Sequence, residues 1–457
     1  MYRSLSLWHD TADEVFAPRP ALGGTVEADV AIVGAGYTGL WTAYYLKKAQ
    51  PDLRIVVVEA EIAGYGASGR NGGWCAGEIA GNRDRMARQH GREPVRRLLQ
   101  AMFDTVDEVE AVTKGENIAC DFQKGGILTF ATNTAHFVRL HNELEHLRAW
   151  GFGEDDYRWL EPKEVDERAR VAGSRGALFT PHAAAVHPAK LARGLATAVE
   201  RLGVVIYEQS RVEVVGPGGV ATSAGQVEAE VILRCTEAFT TSMPGERRTY
   251  LPVYSLMVAT EPLGDWFWDE AGFRRREVFN DPRYVVMYGQ RTADDRIAFG
   301  ARGARYHFGS HVDPVYDHQP IIHEAIVRLL RTLFPKLADV EITHRWGGAV
   351  AIPRDWRPAV VFDRSSGFGY AGGYVGEGVA ASNLAGRTLT DLVLGRKTDL
   401  VDLPWAQHRV RKWEPEPLRF IGVNAATWLA PSADQIEART GQPSRVMAGL
   451  LHALTGK

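Results

Sequence analysis

ADVAIVGAGYTGLWTAYYLKK, residues 28–48, opens with a continuous β-branched run, turns on three glycines, and continues with helical spacing. RIVVVEA, residues 54–60, follows as a second such run. Apolar runs of this kind suit strands covered on both faces. The spacing predicts a strand over 28–34, a helix over 37–48 and a strand over 53–59, a βαβ unit of a doubly wound parallel sheet. Between strand and helix, Gly34 permits a tight turn, Gly36 lets backbone approach a pyrophosphate, and Gly39 allows close helix–strand packing. The helix start at Tyr37 and Thr38 offers N–H groups and the positive dipole end to phosphates. Glu59, 20 residues beyond Gly39 and followed by Ala60, supplies a carboxylate for ribose hydroxyls. A carboxylate there repels a 2′-phosphate, so the pattern predicts a dinucleotide without one.

The next stretch, Gly64-Tyr-Gly-Ala-Ser-Gly-Arg-Asn-Gly-Gly73, favours a larger partner than a simple nicotinamide cofactor. Its small residues let backbone approach a planar or anionic group. Ser68, Arg70 and Asn71 add donors among Gly66, Ala67, Gly72 and Gly73. Near the other end, Gly372-Gly373-Tyr374-Val375-Gly376-Glu377-Gly378 precedes a helix starting near Val379, a second anion-friendly helix start. Gly216-Pro-Gly218-Gly219 has the wrong spacing for another dinucleotide turn and reads as a hairpin.

Taken together, GAGYTG, VVVEA, GYGASGRNGG and GGYVGEGVAASNLAGRTLTDLVLG resemble the D-amino-acid-oxidase-type flavoproteins, in the bacterial amine-oxidising branch that includes gamma-glutamylputrescine oxidoreductases. The resemblance spans about Ala28 to Gly395. It implies FAD and oxidation of a C–N bond. It also implies an α/β fold: a Rossmann-type FAD-binding domain in separate chain segments, with an inserted substrate domain of antiparallel sheet plus helices. It assigns Gly34, Gly36, Gly39 and Glu59 to the ADP half, and Ser68, Arg70, Asn71 and Gly72 to the pyrophosphate and ring. Val212 flanks adenine, Thr236 lies by the pyrophosphate, and Gly347, Gly373, Tyr374, Gly376 and Gly378 complete the cofactor contacts. Relatives that link flavin through Cys carry it near 346–358, where this chain has none, so the FAD is expected to be noncovalent.

The substrate side rests on Glu377, Tyr254, Arg283 and Trp346, with Tyr284, Tyr288 and Arg302 as further wall residues. Aromatics can cage an amine by cation–π attraction and exclusion of water. Relatives place His where Glu377 stands, and Gly376 takes the place of their carboxylate-holding Arg. Arg70, Arg283 or Arg302 is then left to hold a carboxylate, and a di- or polyamine derivative or another primary amine becomes the favoured substrate. No metal box or catalytic triad stands out. The predicted reaction takes hydride from carbon to flavin, hydrolyses the imine to a carbonyl plus ammonia or amine, and returns electrons to O2 as hydrogen peroxide. A dehydrogenase of the same fold with a quinone or protein acceptor, and a flavin-binding partner subunit without turnover, stay open.

The predicted organisation is an N-terminal extension over 1–27, FAD-binding segments over 28–91, 161–244 and 346–400, a helical part of the substrate domain over 92–160, its antiparallel sheet over 245–345, and a tail of short helices and loops over 401–457. Short strands are predicted at 250–260, 284–288 and 296–300, and a meander over 211–234. Composition fits a globular chain: of 457 residues, 45% are hydrophobic and 24% charged, with net charge −3. Without a basic excess nucleic-acid binding is not expected. Three scattered cysteines make no disulfide framework. The start, MYRSLSLWHDTADEVF, has no signal-peptide core, and no apolar run reaches membrane-spanning length, so a soluble cytoplasmic protein without membrane insertion is predicted. The oligomeric state is not legible.

Overall fold

Two eight-stranded sheets carry the chain in the computed structural model, which describes residues 2–302, 305–442 and 444. The first runs Ala359–Asp363, Phe368–Gly372, Gly225–Arg234, Gly24–Val33, Ile55–Val58, Val205–Tyr207. Its central pairs are parallel, as the Val30–Val33 register against Ile55–Val58 shows. The helices Tyr37–Ala49, Pro188–Arg201 and Gly378–Leu394 cover one face with Ile55 and Val57, and Leu22, Val212 and Val220 pack on the other with Val56 and Val58, so both faces of Ile55–Val58 are buried. The hairpin Val214–Gly216/Gly219–Ala221 turns on the Gly-Pro-Gly-Gly segment and leads into Gly225–Arg234.

The second sheet runs Ile342–Ile352, Leu251–Thr260, Ile297–Arg302, Met287–Arg291, Val278–Asn280, Ile127–Phe130, Ala177–Thr180, Arg158–Leu160. All its pairs are antiparallel except Val278–Asn280 with Ile127–Phe130. It backs a separate aromatic core around Phe130, Phe273, Phe279 and Phe334.

Several expected boundaries move. Residues 127–130 and 158–180 contribute strands to the second sheet, so a border at 160/161 cuts between paired strands. Trp346–Ile352 likewise belongs to the 11-residue strand Ile342–Ile352 of that sheet, not to the nucleotide-binding segments. Strands of three or four residues carry too little alternation to be told from loops. The strand expected at 284–288 lies at Met287–Arg291, because the Asp434 carboxylate accepts the Tyr284 and Val285 N–H groups at 2.7 and 2.9 Å. The first strand begins at Gly24, and residues 2–10 are no loose extension: Leu7, Trp8 and His9 are buried. Among its described residues the tail holds one 23-residue helix, Leu418–Thr440, with Pro431 inside, and the expectation for 445–457 lies outside the described residues. An internal proline, which usually ends a helix, hides that length in the sequence. Among the described residues no helix is long and apolar enough to cross a membrane.

Candidate functional site

The carboxyl ends of the parallel strands open into a cavity of about 480 Å3 that continues to the face of the second sheet. Open α/β sheets bind ligands at this edge. At one end stand Gly34, Gly36, Tyr37, Thr38, Glu59, Ala60, Val212 and Thr236. Gly34 turns with φ +103°, a conformation L side chains rarely adopt. Gly36 caps the Tyr37–Ala49 helix, whose first N–H groups have no partners within the helix and face the cavity end. Gly39 lies behind the wall: a side chain there would overlap the Gly34 carbonyl, so it serves packing rather than contact. Glu59 accepts the Ala35 and Glu61 N–H groups at 2.8 and 3.0 Å, yet burial raises its pKa.

The glycine loop lies across this end. Gly66, Ala67, Ser68, Arg70, Asn71 and Gly72 line the cavity. Ser68 Oγ accepts the Tyr37 N–H at 2.8 Å, joining the loop to the helix start. Asn71 shapes the loop from within: its amide donates to the Ala67 and Ser68 carbonyls, and its Oδ1 accepts from Gly73 N. Gly73 packs against Gln290 behind the wall. Arg70 pairs with Asp317 at 2.6 Å in a buried contact, while its Nε is buried without a hydrogen-bond partner among the described residues. Orphaned buried donors are rare in native proteins and point to a missing acceptor. This set — helix N-terminus, carboxylate, glycine loop and orphaned guanidinium N–H — fits a dinucleotide with a bulky ring.

The other end is a chamber. Trp74, Glu78, Ser255, Asn280, Val286, Tyr288, Arg302, Gly348, Gly376, Glu377 and Gly378 line it, with Tyr374 beneath. The Tyr374 hydroxyl meets Thr38 Oγ1 at 2.9 Å, tying both motifs together. Glu377 precedes the Gly378–Leu394 helix without capping it; its carboxylate accepts from Arg302 at 3.2 Å. Gly376 has φ +96°, and any Cβ there would overlap the Arg302 guanidinium. Asn280 Oδ1 is another buried atom without a partner among the described residues. Burial pushes Glu78 up to about 7, and the Glu377 charge adds to the rise. Burial likewise pushes Glu237 up to about 7, against the Gly373 and Tyr374 N–H groups that it accepts. That carboxylate joins the turn after Gly225–Arg234 to Gly373, which itself lies outside the lining.

Besides Gly39, Gly73 and Gly373, five expected site residues are not brought to the cavity. Tyr254 neighbours Ser255 on one strand and points to the opposite face, into the aromatic core. Its hydroxyl donates to the Asp313 carbonyl at 3.2 Å and accepts the Asp313 N–H at 2.9 Å. Arg283 forms a two-point pair with Asp281, and Tyr284 packs under Arg139. Trp346 is buried behind the glycine loop and donates to the Arg70 carbonyl at 2.9 Å. Gly347 faces Leu256 and Asp317. Glu78, Glu237, Ser255 and Asn280 were not foreseen. No local motif marks them; Ser255 follows only if the strand's inward phase is known.

A family profile described as DAO, FAD-dependent oxidoreductase, matches residues 29–392. Gamma-glutamylputrescine oxidoreductase of Escherichia coli (strain K12) is 29% identical over 403 residues, covering 86% of this chain and 90% of that protein. Glycine oxidase from Bacillus cereus superposes with a TM-score of 0.65 at 19% identity, over 84% of this chain and 99% of that one. L-proline dehydrogenase from P. horikoshii gives 0.67 at 18% identity, over 85% and 98%.

Proposed function

The chain belongs to the DAO family of FAD-dependent oxidoreductases, and from that premise we propose that it oxidises the C–N bond of a small cationic amine. The observation that carries this reading is the continuity of one cavity from the dinucleotide cradle to a chamber holding Arg302, Glu377 and Glu78. FAD held there would supply acceptance of hydride from the carbon beside nitrogen and its return as electrons to O2, for a net conversion of amine, O2 and water to carbonyl, ammonia or amine, and hydrogen peroxide.

The protein's own contribution is placement and field. Gly36, Ser68, Asn71 and the orphaned Arg70 Nε would hold the pyrophosphate and ring side, and Glu59 would hold ribose. Cys75 is buried in the core outside the cavity lining, and Cys235, next to Thr236, lines it. Trp74 and Tyr288 wall the chamber and exclude water. Glu377 and Glu78 face the ammonium end of the substrate. Of the three arginines left to hold a carboxylate, Arg70 and Arg283 are paired elsewhere, and Arg302 alone reaches the chamber, half neutralised by Glu377. That balance favours a di- or polyamine derivative over a plain α-amino acid. A desolvated pocket lowers the amine pKa and yields the neutral form that releases hydride.

The test is an anaerobic visible spectrum titrated with diamines, their acylated derivatives, D- and L-amino acids and N-methyl amino acids. Bleaching by cationic amines and rapid recovery in air is the expected result. Bleaching by α-amino acids alone overturns the substrate reading. Slow recovery in air assigns a dehydrogenase, and a flavin that nothing bleaches assigns a binding subunit.

A further inference from the structure

The glycine loop has an anchor outside the family match. Residues 1–28 precede the matched region, yet Ser6–Asp10 pack directly behind residues 69–71. Ser6 Oγ caps the short Leu7–Asp10 helix and donates to the Gly69 carbonyl at 3.4 Å. Trp8 Nε1 donates to the Asn71 carbonyl at 2.7 Å. Between them, Trp346 Nε1 donates to the Arg70 carbonyl at 2.9 Å. The two indoles meet edge to face, with ring centroids 6.3 Å apart. Three consecutive carbonyls, 69 to 71, are thus held from behind by one hydroxyl and two indole N–H groups, while Arg70, Asn71 and Gly72 line the cavity in front.

A loop this rich in glycine carries a large conformational entropy and few side chains with which to order itself. Ordering it before the ligand arrives raises affinity by removing that cost from the binding step. On the reading that the cavity holds FAD, we infer that the Ser6–Asp10 segment is a working part of the cofactor site, with Ser6, Trp8 and Trp346 acting as positioning residues for the backbone that faces the flavin. Trp8 is 2% exposed, so the contact is built into the fold.

Apoprotein of the full chain, titrated with FAD by flavin fluorescence, tests this. Trp8→Phe keeps an aromatic ring, though one smaller than the indole, and removes the N–H; the FAD dissociation constant is expected to rise roughly fivefold. Trp346→Phe is expected to act alike, and Trp8→Ala to raise it roughly 30-fold or more. Trp405→Phe is the control, because Trp405 is equally buried, lies in the core of the first sheet, and its Nε1 has no partner among the described residues. Hydrogen exchange of the 66–73 amides in apo Trp8→Phe is expected to quicken while the global Tm moves little. A Trp8→Phe dissociation constant within about twofold of the parent's, or an equal rise in Trp405→Phe, overturns the inference. A parent that takes up no FAD defeats the cofactor reading itself. A parent that binds FAD tightly, with Trp8→Phe binding as well, defeats this inference alone.

Discussion

The two ends of the cavity are built from opposite kinds of sequence. The cradle comes mainly from residues 34–38 and 59–72, close in the chain, joined by Val212 and Thr236, and works largely through backbone: glycines and helix N–H groups. The chamber comes from Trp74, Glu78, Ser255, Asn280, Val286, Tyr288, Arg302 and Glu377, spread over most of the chain, and works through side chains. Backbone sites constrain residue type over a short span, so they leave motifs. Side-chain sites on a sheet depend on strand phase, where a one-residue slip sends a side chain to the other face.

The largest effect that separates the two ends is expected from Gly39→Ala. The new Cβ overlaps the Gly34 carbonyl, so helix and strand must part. Overpacking of this kind costs about 1–3 kcal/mol or more, and it falls on the turn that faces the pyrophosphate. The expected product is a protein with little bound flavin, read from the ratio of flavin to protein absorbance. Full flavin content in this variant would mean that the cradle tolerates what its close packing forbids.

Arg302→Ala comes next and acts on the chamber alone. It leaves the Glu377 and Glu78 carboxyls without their shared cation and opens the space above Gly376. Removing one partner of a partly buried pair costs about 2–5 kcal/mol, discounted here because both side chains are about a fifth to a quarter exposed. A fall of roughly 30-fold in kcat/KM with flavin content unchanged is expected. Loss of flavin together with activity would erase the distinction between the two ends.

Those two variants also mark where legibility stops. Gly34, Gly36, Gly39 and Glu59 follow from spacing, and Ser68, Arg70, Asn71 and Gly72 from donors set among small residues and from family resemblance; the structure sets all of them but Gly39 in the cavity wall. Val212 and Thr236 came through family resemblance and line the wall too. Tyr254 and Trp346 were chosen because aromatics on antiparallel strands suit an amine cage. The pleat turns Tyr254 into the aromatic core, and the N-terminal segment, read as an extension, takes Trp346 as the partner of Trp8. Glu78 sits after the three-residue strand Trp74–Ala76, too short to read, so nothing placed it beside Glu377. The parallel sheet was legible because its strands are continuous apolar runs; the outer half of the second sheet was not, because its strands span three or four residues between helices.

A smaller effect comes from pH. Glu78 holds its proton to about 7 in the folded chain, against an ordinary value of 4.5. The folded state therefore binds more protons than the unfolded state between those values. Its stabilising share is fully present below about 4.5 and is lost as pH rises through 7. Ionisation also makes the chamber more negative. The dissociation constant of a non-oxidisable quaternary ammonium ion, measured from pH 6 to 8, is expected to fall as pH rises. In Glu78→Gln the same profile is expected to be nearly flat, and thermal stability is expected to depend less on pH over the 4.5–7 window. An unchanged profile would place the cation away from Glu78 and weaken the assignment of the chamber to a charged amine.

The smallest effect is expected at Tyr254, and it bears hardest on strand phase. Tyr254→Phe removes a hydroxyl that both donates to and accepts from Asp313 backbone, at the far side of the sheet from Ser255. Losing one such buried pair of hydrogen bonds costs about 1–2 kcal/mol, and the Asp313 N–H and carbonyl regain part of it because Asp313 is exposed. A lower Tm with unchanged kcat, KM and flavin spectrum is the expected outcome. Ser255→Ala, one residue along and on the cavity face, takes a 2.7 Å partner from the Tyr288 hydroxyl and is expected to shift KM instead. The pair of variants reads the phase of one strand directly. If Tyr254→Phe changes the kinetics and Ser255→Ala does not, the chamber lies on the other face of the sheet, and the division of the cavity into a backbone end and a side-chain end fails with it.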